Sequence, residues 1–187
     1  EMSASLVGSE MCIRDRDMVL GSYYLTLDKE GELGEGKIFR NMEEAMMAYD
    51  SKVISLHAKI RVRRTVEFDG KPVTGLVETT MGRMIFNRPI PQDLGYVDRS
   101  TPEGALQFEV DFLVGKKQLG KIIENCIKVH GTERTAEVLD EIKAQGYKYS
   151  TISGITVAVC DATIPSEKKE LLASAEKELS LIHISEP

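Results

Sequence analysis

The stretch LHAKIRVRR, residues 56–64, constrains the fold more than any other. Leu56, Ala58, Ile60 and Val62 alternate with His57, Lys59, Arg61 and Arg63, and an extended strand sends two such sets to opposite faces. One face is apolar and the other basic. Asp69-Gly70 then supplies a hairpin turn signal, and LVETTMGRMIF returns as a β-rich segment with Gly82 as a bulge or bend. The first half of the chain is therefore expected to be built around a hairpin.

The flanking segments are read by the same periodicities. Met18–Leu27 fits a helix burying Val19, Leu20, Tyr23, Tyr24 and Leu27, and KEGELGEGK is a solvated glycine-rich turn. Asn41, with Glu44 three residues on, is a capping-box variant that opens the helix MEEAMMAYD. IPQDLGYVDRSTPEGA reads as loop. The second half is mainly helical. KKQLGKIIENCIKVHG gathers Leu119, Ile122, Ile123, Cys126 and Ile127 on one face and stops at Gly131, while a following helix capped by Thr132 buries Val138, Leu139 and Ile142 and stops at Gly146, giving a helical hairpin. A short buried strand, ITVAVC, follows, and Pro165 opens a charged helix, SEKKELLASAEKE, whose narrow stripe of Leu171, Leu172 and Ala175 suits pairing with one other helix. The fold class expected is mixed α/β, of the α+β kind.

Composition excludes several classes. The longest apolar runs are far too short to cross a bilayer, and the N-terminus lacks the basic-then-apolar order of a signal peptide, so no membrane partner and a cytoplasmic location are expected. Cys12, Cys126 and Cys160 are odd in number and widely spaced, which fits neither a disulfide framework nor a zinc site. A net charge of −6 argues against a protein that wraps nucleic acid with its whole surface and leaves room for a local basic stripe.

Three constellations could carry chemistry. Gly115-x-x-x-x-Gly120-Lys121 follows an apolar-rich segment read as a strand and approaches a phosphate-binding loop, but Ile122 occupies the place where such a loop needs a Ser or Thr hydroxyl for Mg²⁺. Lys59, Arg61 and Arg63, spaced about 6–7 Å along one strand, match a track of phosphates or the wall of a polyanion channel; a solvated strand face shows the same alternation. In GYKYSTISG, the hydroxyls of Ser150, Thr151 and Ser153 beside Gly154 suit a turn approaching a ligand closely, or simply a connection between helix and strand. Neither a general acid–base pair nor an activated nucleophile can be named, and Asp69, Asp93, Asp111 and Asp161 form no triad, so no catalytic and no metal residue is assigned.

The segments DMVLGSYYLT, LHAKIRVRR, ETTMGRMIFN, IPQDLGYVDR, FLVGKKQLGKIIENCIKVHG, GYKYSTISGITVAVCDATIP and EKKELLASAEKE occur in collinear order, and together they resemble the bacterial DNA-directed RNA polymerase β′ subunit family. The resemblance implies an incomplete piece of a larger multidomain subunit, the pore or secondary-channel domain that follows the catalytic loop, over residues 17–164, with residues 165–178 beginning a rim coiled-coil helix. It implies a nucleotidyltransferase whose channel admits nucleoside triphosphates and releases a backtracked RNA 3′ end. The partners implied are the β, α, ω and sigma subunits. Catalytic Mg²⁺ would be held in the complete enzyme by an aspartate-rich loop absent from this chain, so no cofactor is expected here and the isolated piece should be inactive. In that setting Lys59, Arg61 and Arg63, and secondarily Lys116, Lys117 and Lys121, become candidate phosphate-facing residues. SASLVGSEMCIRDR and LSLIHISEP resemble translated sequencing-adapter read-through, so residues 1–16 and 179–187 are expected to be non-native flanks. The competing expectations are a P-loop-like nucleotide hydrolase and a stand-alone α/β interaction module.

Overall fold

The computed structural model describes residues 16–156 and 158–185, the side chains of 180–185 excepted. The flank expected at 1–16 lies outside these residues but for Arg16, as do Cys12, Val157 and the chain's last two residues. The chain divides into two units, Glu1–Gly154 and Ile155–Pro187.

In the first unit helix α1 spans residues 16–26. Strand β1 (Ile38–Phe39) precedes helix α2 (Met42–Asp50), whose Asn41 side chain accepts the Glu44 N–H at 2.8 Å. The Glu44 carboxylate reaches back one residue further than a capping box requires, to the N–H of Arg40 at 2.6 Å. Strands β2 (Lys59–Phe68) and β3 (Lys71–Thr80) form the expected hairpin, and β1 adds to β2 in parallel, giving the order β1-β2-β3. Asp69 and Gly70 both take positive φ, 52° and 71°, as the two-residue turn matched to strand twist demands. Ala58, Ile60 and Val62 are buried and Arg61 and Arg63 exposed, so the period-two reading holds.

Helix α3 (Met81–Asn87) replaces the bulge expected at Gly82. Thr80 caps it by accepting the Arg83 N–H, and Gly82 is required by packing, because a Cβ there would lie 2.1 Å from the carbonyl oxygen of Leu25 at the end of α1. The segment read wholly as loop contains the short helix α4 (Pro102–Leu106), capped by Thr101. Helix α5 (Lys116–Ser153) holds both expected second-half helices. They meet without a loop at Gly131, whose φ of 76° breaks the helical path. Gly146 does not stop the helix. It lies against Gly21 of α1, where a Cβ on Gly21 would fall 1.8 Å from the Gly146 carbonyl oxygen, and the helix ends only at Gly154 in the left-handed conformation.

The core joins Leu25 of α1, Ile60 and Val62 of β2, Met81, Met84 and Phe86 of α3, and Leu119, Ile122 and Ile142 of α5 with Val110 and Val114. On α1 the buried residues are Gly21, Ser22, Leu25 and Thr26, while Tyr23 is exposed. The burial expected of Tyr23 is thus wrong. Serine and threonine bury on this helix because their hydroxyls return to helix carbonyls, Ser22 to Met18 at 3.0 Å and Thr26 to Ser22 at 2.9 Å.

His57, read onto the basic face, is buried at 4% exposure. Its Nδ1 lies 3.1 Å from the Leu27 carbonyl and its ring meets Tyr24 edge-on at 4.5 Å, while Nε2 is buried without a partner. Protonation would place an N–H where nothing accepts it, so burial pulls the imidazole below its ordinary 6.5, against a smaller upward pull from the Leu27 carbonyl. The unfolded state therefore takes up the proton first as pH falls. The stability this neutral ring contributes is complete above about pH 6.5 and declines below it, until the folded state protonates as well. Urea denaturation of wild type and His57→Gln between pH 7.5 and 5 should show a steeper acid-side loss in wild type. Parallel curves would assign that loss to other groups.

In the second unit, the described residues of 155–160 form no strand and are exposed, Val159 at 93%. The buried ITVAVC strand is therefore overturned. Val159–Asp161 is a single 3-10 turn in which Asp161 accepts the Ala158 N–H at 2.8 Å. Helix α6 (Lys168–Ser185) starts three residues beyond Pro165 and continues past Glu178, with Leu171 and Leu172 exposed.

Candidate functional site

The basic face of β2 is graded along its length. Lys59 is half-buried and lies 3.6 Å from both Asp28 and Glu30. Arg61 faces Glu78 of β3 at 3.5 Å. Arg63 stands opposite Leu76 and pairs with no carboxylate among the described residues. Positive charge thus becomes less neutralised toward the hairpin tip. An exposed pair such as Arg61–Glu78 contributes under about 1 kcal/mol and exchanges readily for another anion.

Lys116, Lys117 and Lys121 are all exposed on the opening turns of α5. The first turn carries no acidic residue and Gly115 offers no side-chain cap, so lysines crowd the positive end of the helix, which is electrostatically unfavourable by a few tenths of a kcal/mol each. No hydrogen bond or ion pair among the described residues joins this cluster to the β2 cations. The phosphate-loop reading of Gly115–Ile122 fails, because the segment is helical from Lys116 and the preceding residues 108–115 form no strand. A wound helix has no concave nest of amides to offer a phosphate.

The turn expected at Ser150, Thr151, Ser153 and Gly154 is instead the last turn of α5. Thr151 Oγ1 donates to the Tyr147 carbonyl at 2.9 Å and Ser153 Oγ to the Ser150 carbonyl at 2.7 Å, and Gly154 terminates the helix. The two hydroxyl protons are committed to the helix itself.

Several charged residues that the sequence did not single out hold the surroundings of the β2 face. Arg83 of α3, only 13% exposed, donates to the Thr26 carbonyl and to Asp111, both at 3.2 Å, and lies 3.6 Å from Asp28. It caps the end of α1 and ties it to the segment entering α5. Arg64 donates to the carbonyls of Leu106 and Gln107 at 2.9 Å and lies 4.5 Å over the Phe108 ring. Burial, with Arg99 nearby, lowers its pKa. Glu109, whose side chain is wholly buried, accepts from the Tyr96 N–H at 2.9 Å and from Arg99 at 3.2 Å and 3.3 Å. Asn87 bonds both main-chain groups of Val110, at 2.7 Å and 3.0 Å. Arg83, Glu109 and Asn87 are isolated polar residues whose partners no sequence pattern signals, and Arg64 ends the alternating stretch on its apolar face.

A magnesium ion does not fit the described residues. No three His, Cys, Asp or Glu side chains among them converge on one point. Asp28 and Asp111 share Arg83, and the Glu109 oxygens are taken by Arg99 and an amide, whereas phosphoryl-transfer metals need carboxylates left free to bind them.

Residues 8–162 match the family model described as RNA polymerase Rpb1, domain 3. The DNA-directed RNA polymerase subunit beta′ of Caldicellulosiruptor saccharolyticus is 56% identical over 175 residues, 94% of this chain and 15% of that protein. The subunits beta′ of Clostridium novyi and Clostridium acetobutylicum are each 56% identical over 169 residues, 90% of this chain and 14% of theirs. The chain thus spans about 15% of the length of the curated relatives it matches. Most of the segments that carried the resemblance fall inside the matched residues, and the chain belongs to the RNA polymerase Rpb1 domain 3 family.

Proposed function

We propose that the chain serves DNA-templated RNA synthesis as the secondary-channel part of a DNA-directed RNA polymerase β′ subunit. The observation that carries this reading is the 56% identity to β′ subunits along 94% of the chain. Nucleotidyl transfer belongs to residues outside this chain. The part played here is to support the active centre and to line the path by which nucleoside triphosphates arrive and a backtracked RNA 3′ end leaves. Arg61 and Arg63 face that path, with Lys116, Lys117 and Lys121 a second basic cluster, because focused positive potential raises the local concentration of polyanions. Residues 17–164 make up the pore domain and 165–178 begin the rim helix, whose exposed Leu171 and Leu172 await a second helix. The partners are the β, α, ω and sigma subunits, and the place of work is the cytoplasm.

The test replaces the corresponding segment of a Clostridium β′ subunit with residues 17–178 of this chain and reconstitutes the polymerase. The hybrid should assemble and transcribe. Introducing Arg61→Glu with Arg63→Glu should raise the KM for nucleoside triphosphates about threefold at low salt with kcat little changed, and the difference should shrink as salt screens the charges. A hybrid that assembles fully yet makes no RNA would overturn the polymerase reading. An unchanged KM would remove these arginines from the substrate path.

A further inference from the structure

The outer edge of β3 has hydrogen-bonding groups to spare. In a two-residue hairpin the residues flanking the turn form a hydrogen-bonded pair, and such pairs then alternate with open ones. Phe68–Lys71, Val66–Val73, Arg64–Gly75, Val62–Val77 and Ile60–Thr79 are therefore the bonded pairs of the observed register. The residues between them turn their main-chain groups away from the partner strand. On β2 this is visible directly, since the Arg61 N–H donates at 2.9 Å to the Lys37 carbonyl on the β1 side. On β3 the outward residues are Pro72, Thr74, Leu76 and Glu78. Proline sits where a missing N–H costs nothing. The main-chain groups of Thr74, Leu76 and Glu78 bond to nothing among the described residues beyond their own strand.

Exposed edges are ordinarily blunted by lysine, proline or a bulge. Here Lys71 and Pro72 guard only the hairpin tip, and the register runs unbroken through Thr74–Glu78. Beside this edge lies an open groove of about 610 Å³, bounded on its far side by Glu103 and Leu106 of α4, by Phe108 and by Asp111. Gly75 gives the groove its depth, because a Cβ there would meet Leu106 Cδ1 at 2.4 Å. Every ionisable side chain lining it is acidic, namely Glu78, Glu103 and Asp111. Leu76 is 56% exposed at its rim.

We propose that β3 is a docking edge for an extended segment of a partner polypeptide with alternating basic and apolar residues, which adds to the sheet as a fourth strand over Thr74–Glu78. Main-chain bonds to Thr74, Leu76 and Glu78 supply the affinity. On the face shared by Leu76 and Glu78, lysine or arginine side chains meet Glu78, and on the opposite face, toward which Gly75 turns, the apolar ones meet Leu106 and Phe108. Glu103, unpaired among the described residues, and Glu78, whose exposed pair with Arg61 exchanges readily, favour a basic strand over an acidic one, while Asp111 is held by Arg83.

The test uses the 187-residue chain and a capped hexapeptide of alternating lysine and valine, read by amide hydrogen exchange and nitrogen–proton correlation spectra. At saturating peptide the amides of Thr74, Leu76 and Glu78 should exchange at least about tenfold more slowly, each gaining one bond. Those of Val73, Gly75 and Val77, already bonded to β2, should change little. Leu76→Pro, which deletes an outward N–H and leaves the inner ladder intact, should weaken binding about tenfold. A peptide N-methylated along one edge should not bind to wild type, which tests the same bonds without altering the protein. Unchanged exchange at the three amides overturns the proposal. So does equal binding by a glutamate–valine peptide or by the N-methylated one, and so does protection that appears on concentrating the protein alone, which would make a second copy the occupant.

Discussion

Replacing Glu109 by alanine is expected to destabilise the first unit by about 3–5 kcal/mol, the cost of breaking a buried ion pair from one side. The carboxylate is the common acceptor for the Tyr96 amide and the Arg99 guanidinium. Its own N–H is held by Gln92 at 3.2 Å, and Arg99 also donates to the Ala105 carbonyl. Removing it leaves the part-buried Tyr96 amide without a partner and the partly buried Arg99 with only the Ala105 carbonyl, along a segment that has only one short helix of its own. The segment also packs Val110 and Val114 into the core, so loosening should spread. Glu109→Gln keeps the volume and one acceptor oxygen and should cost less, about 1–3 kcal/mol. Urea denaturation of both variants measures the pair. An alanine variant within about 1 kcal/mol of wild type would mean that the network is satisfied by water and does not pin the segment.

The second large effect is expected at the contact of α1 with α5. Gly21→Ala places a methyl 1.8 Å from the Gly146 carbonyl oxygen, and the next nearest atoms, the Gly146 carbonyl carbon and Cα, are also backbone. Backbone cannot swing aside as a side-chain tip can. The helices must separate, at about 3 kcal/mol or more. Gly120 supplies the contrast: it is helical and exposed, and a methyl added there would meet no atom of a neighbouring element within 4 Å. Gly120→Ala should stabilise by about 0.5–1 kcal/mol, through helix propensity and the loss of unfolded-state freedom. A Gly21→Ala midpoint equal to or above that of Gly120→Ala would show that the two helices tolerate separation.

These two sites also mark where the sequence could and could not be read. The β2–β3 hairpin was legible because alternation and an Asp-Gly turn are local properties, and the register follows from them. Gly82 and Gly146 were misread for one reason. Glycine serves a bend, a helix stop and a close crossing alike, and only the neighbouring backbone of Leu25 or Gly21 distinguishes the uses. ITVAVC has the composition of a buried strand, yet composition says nothing about whether a partner strand is present, and the described residues of that segment lie exposed. The basic face was legible as a pattern, but its gradient was not. Lys59 is neutralised by Asp28 and Glu30 from the stretch that follows α1, whereas Arg63 meets only Leu76 across the hairpin. Arg83 and Glu109 draw their importance wholly from partners distant in sequence, which no spacing encodes.

The left-handed residue at Gly131 has an architectural consequence. A straight helix of the 38 residues of α5 would measure about 57 Å, whereas an ordinary compact domain of about 150 residues has a radius of gyration near 15 Å. Such a rod would overshoot its own domain and leave one end in solvent. Breaking it at one residue gives two shorter struts, and each of them finds core: Leu119, Ile122 and Cys126 before the corner, Val138, Ile142 and Tyr149 after it. Because no loop intervenes, the corner is as short as a corner can be. It spends no chain length, and contacts on both sides brace it: His130 Nε2 lies 2.7 Å from Asp93 Oδ1, and Thr135 Oγ1 donates to the Gly131 carbonyl at 2.6 Å.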